Sequence, residues 1–268
     1  MKASVIVSVY KDAEALRCVL YGLERQTEKS FEVIVAEDGD DPCISETCRS
    51  AWKLDLSHQT QADLGFRKTR AVNRAIATSR AQYIAFLDGD CIPHQSWLEQ
   101  HLQMMSPGHV LVGRRMHLGP YFSRRLRIVP RWVNRLESPL QSWFLLPALQ
   151  ADGARNIELM RPSRFLQRYF GRKKLNLVGC NFSSFKSDLL KVNGYDEELT
   201  GVGGEDDDLH WRLEASGVLT TNIKFQAVVY HLFHKSRRAD VTENLRKSRE
   251  NLAAGRYFAR QGVVKSPE

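Results

Sequence analysis

The chain of 268 residues is 43% hydrophobic and 26% charged, with 39 Lys and Arg against 31 Asp and Glu and a formal net charge of +8. That composition excludes an intrinsically disordered chain, and the length gives one large or two small domains whose core needs no disulfide or metal staple. No apolar run approaches the roughly 20 residues of a membrane-spanning helix.

Met1-Lys2 leads straight into Ala3–Val9, an apolar, β-branched run that reads as a strand buried on both faces. A secretory leader has a longer apolar core, so a cytoplasmic setting is expected. The five cysteines include no Cys-x-x-Cys pair, which suits reduced thiols rather than a disulfide frame or zinc site. Asp12 is placed to N-cap a helix with Leu16, Val19, Leu20 and Leu23 inward. Phe31–Ala36 predicts a second strand ending in Glu37-Asp38-Gly39, 67–79 a helix, and 82–87 a third strand ending in Asp88-Gly89-Asp90. Such alternation predicts an α/β fold with a mostly parallel sheet, whose ligands bind beyond the carboxyl ends of the strands. Both acidic clusters fall at such ends. Further on, 176–182 reads as a strand, 187–192 as a short helix, 218–230 as extended, and 242–260 as a polar C-terminal helix.

Charge is concentrated in one segment. Residues 114–174 carry fourteen Arg or Lys against three acids, a net of +11 that exceeds the charge of the whole chain. Eight aromatic residues from Tyr121 to Phe170 are interleaved there, and five prolines break the segment into short pieces. It reads as a partly helical insert on a single domain: 1–113 a nucleotide-binding half, 114–175 the insert, 176–240 an acceptor and catalytic half, and 241–268 the C-terminal helix. Two readings of the insert stand, an anionic membrane or acidic ligand surface, or a solvated basic face with its aromatics in the core.

Three groups could carry chemistry. Asp88-Gly89-Asp90 sets two carboxylates on a tight turn, where they could hold a hard divalent cation against a diphosphate or form a solvated turn. Four acids, Glu205 to Asp208, follow Gly203-Gly204 at a helix start. One or two would satisfy the helix terminus, so a carboxylate aimed into a cleft as general base is the sharper reading. His231 and His234 could share a metal if the backbone turns there.

In order along the chain, Ser4–Tyr10, Ala36–Gly39, Gly65–Ala75, Phe86–Asp90, Gly179–Ser183, Asn193–Glu197 and Gly201–Asp208 resemble the inverting nucleotide-sugar glycosyltransferases of GT-A fold, family 2 type. The second half is similar to the β-1,4-galactosyltransferase and chondroitin-polymerase group. The resemblance implies that Val9 and Tyr10 contact the nucleobase, Asp38 reads it, and Phe66 and Lys68 touch base and diphosphate. Asp88 would lie on the ribose side, Gly179 at the donor, and Asp90 with His231 and His234 at Mn²⁺ or Mg²⁺. Asp206 would be the general base, with Glu205 holding the acceptor; Asn181, Asp207 and Val202 would lie on the acceptor side. Implied partners are a nucleotide-sugar, with UDP as carrier, and a glycan or glycolipid of surface polysaccharide or lipopolysaccharide synthesis. The insert would face acceptor or membrane, placing the protein peripherally on the inner face of the cell membrane, and no nucleic-acid partner is expected. Val202 departs from a Trp in the galactosyltransferase group, so acceptor identity does not carry over. Two alternatives are a sugar nucleotidyltransferase, for which Tyr10–Glu14 lacks a glycine-rich loop, and a basic nucleic-acid module, which leaves the acidic motifs unexplained.

Overall fold

The computed structural model describes residues 1–171, 173–235 and 241–265. Arg172 of the basic segment, residues 236–240 and residues 266–268 lie outside the described residues, so the expected acceptor half and C-terminal helix are seen only in part. The chain order is β1 (Ala3–Val9), α1 (Ala13–Glu24), β2 (Phe31–Glu37), α2 (Pro42–Arg49), β3 (Asp55–Gln59), α3 (Lys68–Thr78), β4 (Tyr83–Asp88), β5 (Cys91–Pro93), α4 (Trp97–Met104), β6 (His109–Val112) and β7 (Arg114–His117). Then follow α5 (Pro120–Ile128), α6 (Val133–Glu137), α7 (Pro139–Ala151), α8 (Arg164–Phe170), β8 (Asn181–Phe185), α9 (Lys186–Lys191), α10 (Glu205–Ala215), β9 (Leu219–Asn222), β10 (Val228–His231) and α11 (Thr242–Ala253).

Seven strands form one sheet in the order β3-β2-β1-β4-β8-β6-β9, and β5-β10-β7 form a second. In the large sheet only β8 runs against the others, being antiparallel to both β4 and β6. Strands β1, β2 and β4 alternate between two cores. Val5, Val7, Val33, Val35, Ala85 and Leu87 pack with α1, whereas Ile6, Ile34, Ile84 and Phe86 pack with α3 and α10. Burial on both faces explains why these strands read as continuous apolar runs. A third cluster joins α5, α6 and α7 (Phe122, Leu126, Val133, Leu136, Leu149) to Ile92, Met116, Val228 and Tyr230 of the small sheet. The basic segment therefore starts as a sheet strand and shares a core with the strand that carries His231.

Several spans differ from expectation. The strand expected at 176–182 lies at Asn181–Phe185, because its register is set by pairing with β4 and β6. The expected extended run 218–230 divides into β9 and β10, which belong to different sheets. The C-terminal helix stops at Ala253, before Gly255 at φ 64°. The stretch beyond it is clamped by Asn193, whose side-chain amide donates to the Ala259 and Val264 carbonyls. Among the described residues no helix is long and apolar enough to cross a membrane. Cys18, Cys48, Cys91 and Cys180 are buried free thiols, and Cys43 is exposed.

Candidate active site

The carboxyl ends of β1, β2 and β4 lie side by side, with Ser8 opposite Asp88 and Val9 opposite Glu37. Val9 is buried, and its carbonyl accepts from the Asp38 N–H at 3.0 Å. Asp38 is also buried, accepting from Arg67 N–H at 2.6 Å and Gln61 Nε2 at 2.7 Å. Asp38 thus anchors the 61–67 loop that carries Phe66 while keeping further lone pairs for a ligand. Beside it, Gln61 Oε1 and Arg67 Nε are buried without hydrogen-bond partners among the described residues, one acceptor and one donor. Tyr10 is half-buried, its hydroxyl 3.5 Å from Asp63, with the Lys11 ammonium over its ring.

Asp88 meets Lys68 Nζ at 2.7 Å and the Ser8 hydroxyl at 2.9 Å. Burial opposes its ionisation, but the Lys68 ammonium and the Ser8 hydroxyl together hold its carboxyl below the usual range. Lys68, half-buried, is kept charged by Asp88, Asp206 and Glu205. Asp90, two residues on, has its carboxyl pushed up to about 6, first by burial and then by the Asp88 charge. His231 Nε2 and His234 Nε2 lie 3.5 and 3.3 Å from Asp90 Oδ2. Burial, then Arg115, pushes His231 down to about 3, which leaves a neutral imidazole with a free lone pair. His117 of β7, paired with His231 across the small sheet, meets its ring edge-on with centroids 4.9 Å apart and is likewise pushed down to about 4, mainly by burial. One carboxylate and two imidazoles converging in this way fit a divalent cation of borderline softness such as Mn²⁺.

The Gly201–Gly204 loop has Gly201, Gly203 and Gly204 at φ 85°, 93° and 88°, a conformation that side chains other than glycine rarely adopt. Half-buried Val202 lies in this loop, which meets Phe66 through Gly201 N–H donating to the Phe66 carbonyl at 3.4 Å. The four acids that follow have separate fates. Glu205 is buried, with Oε2 lacking a hydrogen-bond partner among the described residues. Asp206 accepts from Gly179 N–H at 2.7 Å and from the Tyr195 hydroxyl at 3.2 Å. Burial first, opposed by Lys68 and reinforced by Glu205 and Asp88, pushes its carboxyl up to about 6. Asp207 is exposed. Asp208 is structural, fully buried and paired with Arg212 Nε at 2.7 Å, while Arg212 Nη1 donates to the carbonyls of Val192 and Gly194.

Gly179 lies between Asp206 and Lys68. A Cβ there would lie 2.7 Å from Asp206 Oδ1 and 3.1 Å from Lys68 Nζ, so the glycine keeps open the space between them.

One expected acceptor contact is corrected. Asn181 is entirely buried, its amide accepting from Trp97 Nε1 at 2.9 Å and donating to the carbonyls of Arg114 and Ala227. These bonds join three elements and leave nothing for an acceptor. Several residues at the site take no role from the sequence: Ser8, Arg67 and Tyr195, which lie within motif stretches, and Gln61, Arg115 and His117, which lie outside them. Tyr195 is located by Asn73, which exchanges two 2.9 Å hydrogen bonds with its backbone.

The arrangement is that of a GT-A glycosyltransferase fold: charged groups at the ends of parallel strands, a carboxylate–imidazole cluster, and a carboxylate at a helix start across the cleft. Residues 4–190 match glycosyl transferase family 2, and the chain belongs to that family. Residues 163–235 also match the family described as the N-terminal domain of galactosyltransferase. The chain is similar to the chondroitin synthase of Escherichia coli, 23% identical over 85% of this chain and 34% of the relative. It is also similar to the validoxylamine A glucosyltransferase of Streptomyces hygroscopicus, 28% identical over 81% and 52%. The chain therefore spans about a third to a half of these relatives' length. Among solved structures, GalNAc-T7 with UDP, GalNAc and Mn²⁺ superposes at a TM-score of 0.61 with 13% identity, covering 93% of this chain and 48% of that one.

Proposed function

We propose that this glycosyltransferase moves a sugar from a nucleotide-sugar, with UDP as carrier, to a hydroxyl of a glycan or glycolipid acceptor in surface polysaccharide or lipopolysaccharide synthesis, inverting the anomeric centre. The observation that carries the reading is the convergence at Gly179, where Asp206 and the Lys68–Asp88 pair face one space. A donor placed there has its diphosphate by the Lys68 ammonium and its anomeric carbon toward Asp206. Asp206 takes the proton of the acceptor hydroxyl as that oxygen bonds to the anomeric carbon, and the bond from that carbon to the diphosphate breaks. Attack from the side opposite the leaving group inverts the configuration. The unpartnered Glu205 Oε2 accepts from an acceptor hydroxyl, with Asp207 and Val202 on the same rim. Tyr10, Phe66 and Asp38 hold the base and Asp88 the ribose side. Asp90, His231 and His234 would hold Mn²⁺ or Mg²⁺, which when bound offsets charge on the departing diphosphate. The basic segment 114–174 faces acceptor or membrane, at the inner surface of the cell membrane.

The test is a thermal-shift and donor-hydrolysis panel of UDP-, GDP- and dTDP-sugars with and without Mn²⁺. Metal-dependent stabilisation and slow nucleotide release with UDP-sugars alone are expected, and both should vanish in Asp90→Ala. A response to another nucleotide would replace the carrier, and retention of metal-dependent binding in Asp90→Ala would move the metal site.

A further inference from the structure

Within the basic segment, six of the eight aromatic residues are exposed: Tyr121, Trp143, Phe144, Phe165, Tyr169 and Phe170. Helix α7 is the extreme case. It has no charged residue, and Leu140, Trp143 and Phe144, three and four positions apart, share one outward strip, with Trp143 68% and Phe144 73% exposed. Alongside Leu140, Gln141 lines a cleft of about 440 Å³ whose other walls include Arg125, Arg131, Arg135, Trp132 and Asn134. Two arginines nearby are committed to carboxylates. Arg127 forms a two-pronged pair with Asp12 at 2.5 and 2.9 Å, and Arg25 pairs with Glu137. None of Arg125, Arg131 and Arg135 has a carboxylate partner among the described residues, and Arg135 lies over the Trp132 ring, 5.2 Å from its centroid. Trp132 Nε1 is a buried donor without an acceptor among the described residues. Three uncommitted guanidinium groups and an unsatisfied N–H around one cleft form a receptor for phosphate oxygens.

We propose that this cleft seats the headgroup phosphate of an anionic phospholipid while Leu140, Trp143 and Phe144 lie in the interface of the same bilayer. A single-stranded nucleic acid would also meet the arginines and stack on the aromatic rings, but aliphatic Leu140 and the uncharged length of α7 offer its phosphates nothing. For a bilayer the two features complement each other, as aromatic side chains settle at headgroup depth and cations answer anionic lipid. The proposal rests on the reading of segment 114–174 as membrane-facing, and says which residues of it touch lipid. It also orients the cleft. Helix α5 is bonded to the loop after β10, where the Ser123 hydroxyl accepts from Phe233 N–H at 2.7 Å, and to α1 through Arg127. Asp152, at the end of α7, accepts from the Tyr121 and Phe122 N–H groups of α5, so a bilayer on α7 lies beside the helix that borders the candidate active site, where a lipid-borne acceptor would arrive.

The test is co-sedimentation of the whole chain with phosphatidylcholine vesicles, with and without phosphatidylglycerol. Wild type should bind only the anionic vesicles. The double variant Arg131→Gln, Arg135→Gln should bind them roughly 25-fold more weakly, about fivefold for each cation at the surface. Trp143→Ser with Phe144→Ser, which keeps the charge and changes only exposed side chains, should also lose binding. Equal binding to neutral vesicles, or wild-type binding by both variants, would overturn the proposal. So would stabilisation by inorganic phosphate, or capture of a short single-stranded RNA, without vesicle binding. Metal-dependent nucleotide release, measured on the same variants without vesicles, should be unchanged, so failure here is separable from failure of the transferase reading.

Discussion

Asp206 shows how the cleft tunes a carboxylate. Its acid form is favoured by burial and by Glu205 and Asp88, and its base form by Lys68, Gly179 N–H and the Tyr195 hydroxyl. The balance near 6 leaves a base that is ionised at neutral pH yet more basic than an exposed Asp. As the proposed general base it accepts the proton only when deprotonated, so kcat/KM should be level above that value and fall about tenfold per pH unit below it. Asp206→Asn should keep donor affinity and lose transfer by a factor on the order of 10³. Tyr195→Phe removes a hydrogen bond to the carboxylate, so the acid limb should move to higher pH; an unmoved limb would assign it to another group. His231 titrates far lower and stays neutral throughout. Much of this site was legible, because its carboxylates stand in short runs at strand ends and at a helix start. Tyr195 and Ser8 were not: a lone hydroxyl gains a role only when folding brings it to a carboxylate.

The first turn of helix α10 is divided between the cleft and the core. Glu205 and Asp206 face the cleft, whereas Asp208 turns inward to Arg212 and to the Ser248 hydroxyl of α11, at 2.8 Å. Asp208→Ala would leave the Arg212 guanidinium buried without its counter-charge, a loss of about 3–5 kcal/mol. It should appear as a lower urea midpoint with an unchanged slope, whereas Asp207→Ala, at an exposed position, should leave the midpoint where it is. A run of four acids does not reveal this division, since neighbouring helical residues point about 100° apart and only packing decides which meets a cation. Strands followed the same logic. β1, β2 and β4 are legible because both faces are apolar, but β3 (Asp-Leu-Ser-His-Gln) is an edge strand with a single large apolar residue. Its place is fixed by the ladder to β2 rather than by propensity.

At the scale of the molecule, the third hydrophobic cluster ties the basic segment to the sheet that carries the candidate metal ligands. The segment should not melt alone. Heating followed by Trp fluorescence, dominated by the segment's Trp132 and Trp143 together with Trp52, Trp97 and Trp211 elsewhere, should coincide with the loss of far-ultraviolet ellipticity in one transition. An earlier fluorescence step would show an independently folding unit. Composition indicated a distinct region here through its net charge of +11, but charge says nothing of the apolar residues beneath, and those decide cooperativity.

The distribution of thiols has a practical side. Cys18 and Cys48 are pushed up to about 12, chiefly by burial, and Cys91 and Cys180 are also enclosed, which leaves Cys43 to meet a reagent. Cys43 opens α2, its N–H bonded to Asp41, whose own N–H reaches Glu37 beside Asp38. A maleimide dye would thus attach at one place without mutagenesis, five residues from the carboxylate that anchors the 61–67 loop, and the arrival of a nucleotide at the proposed site would be followed there as a change in brightness.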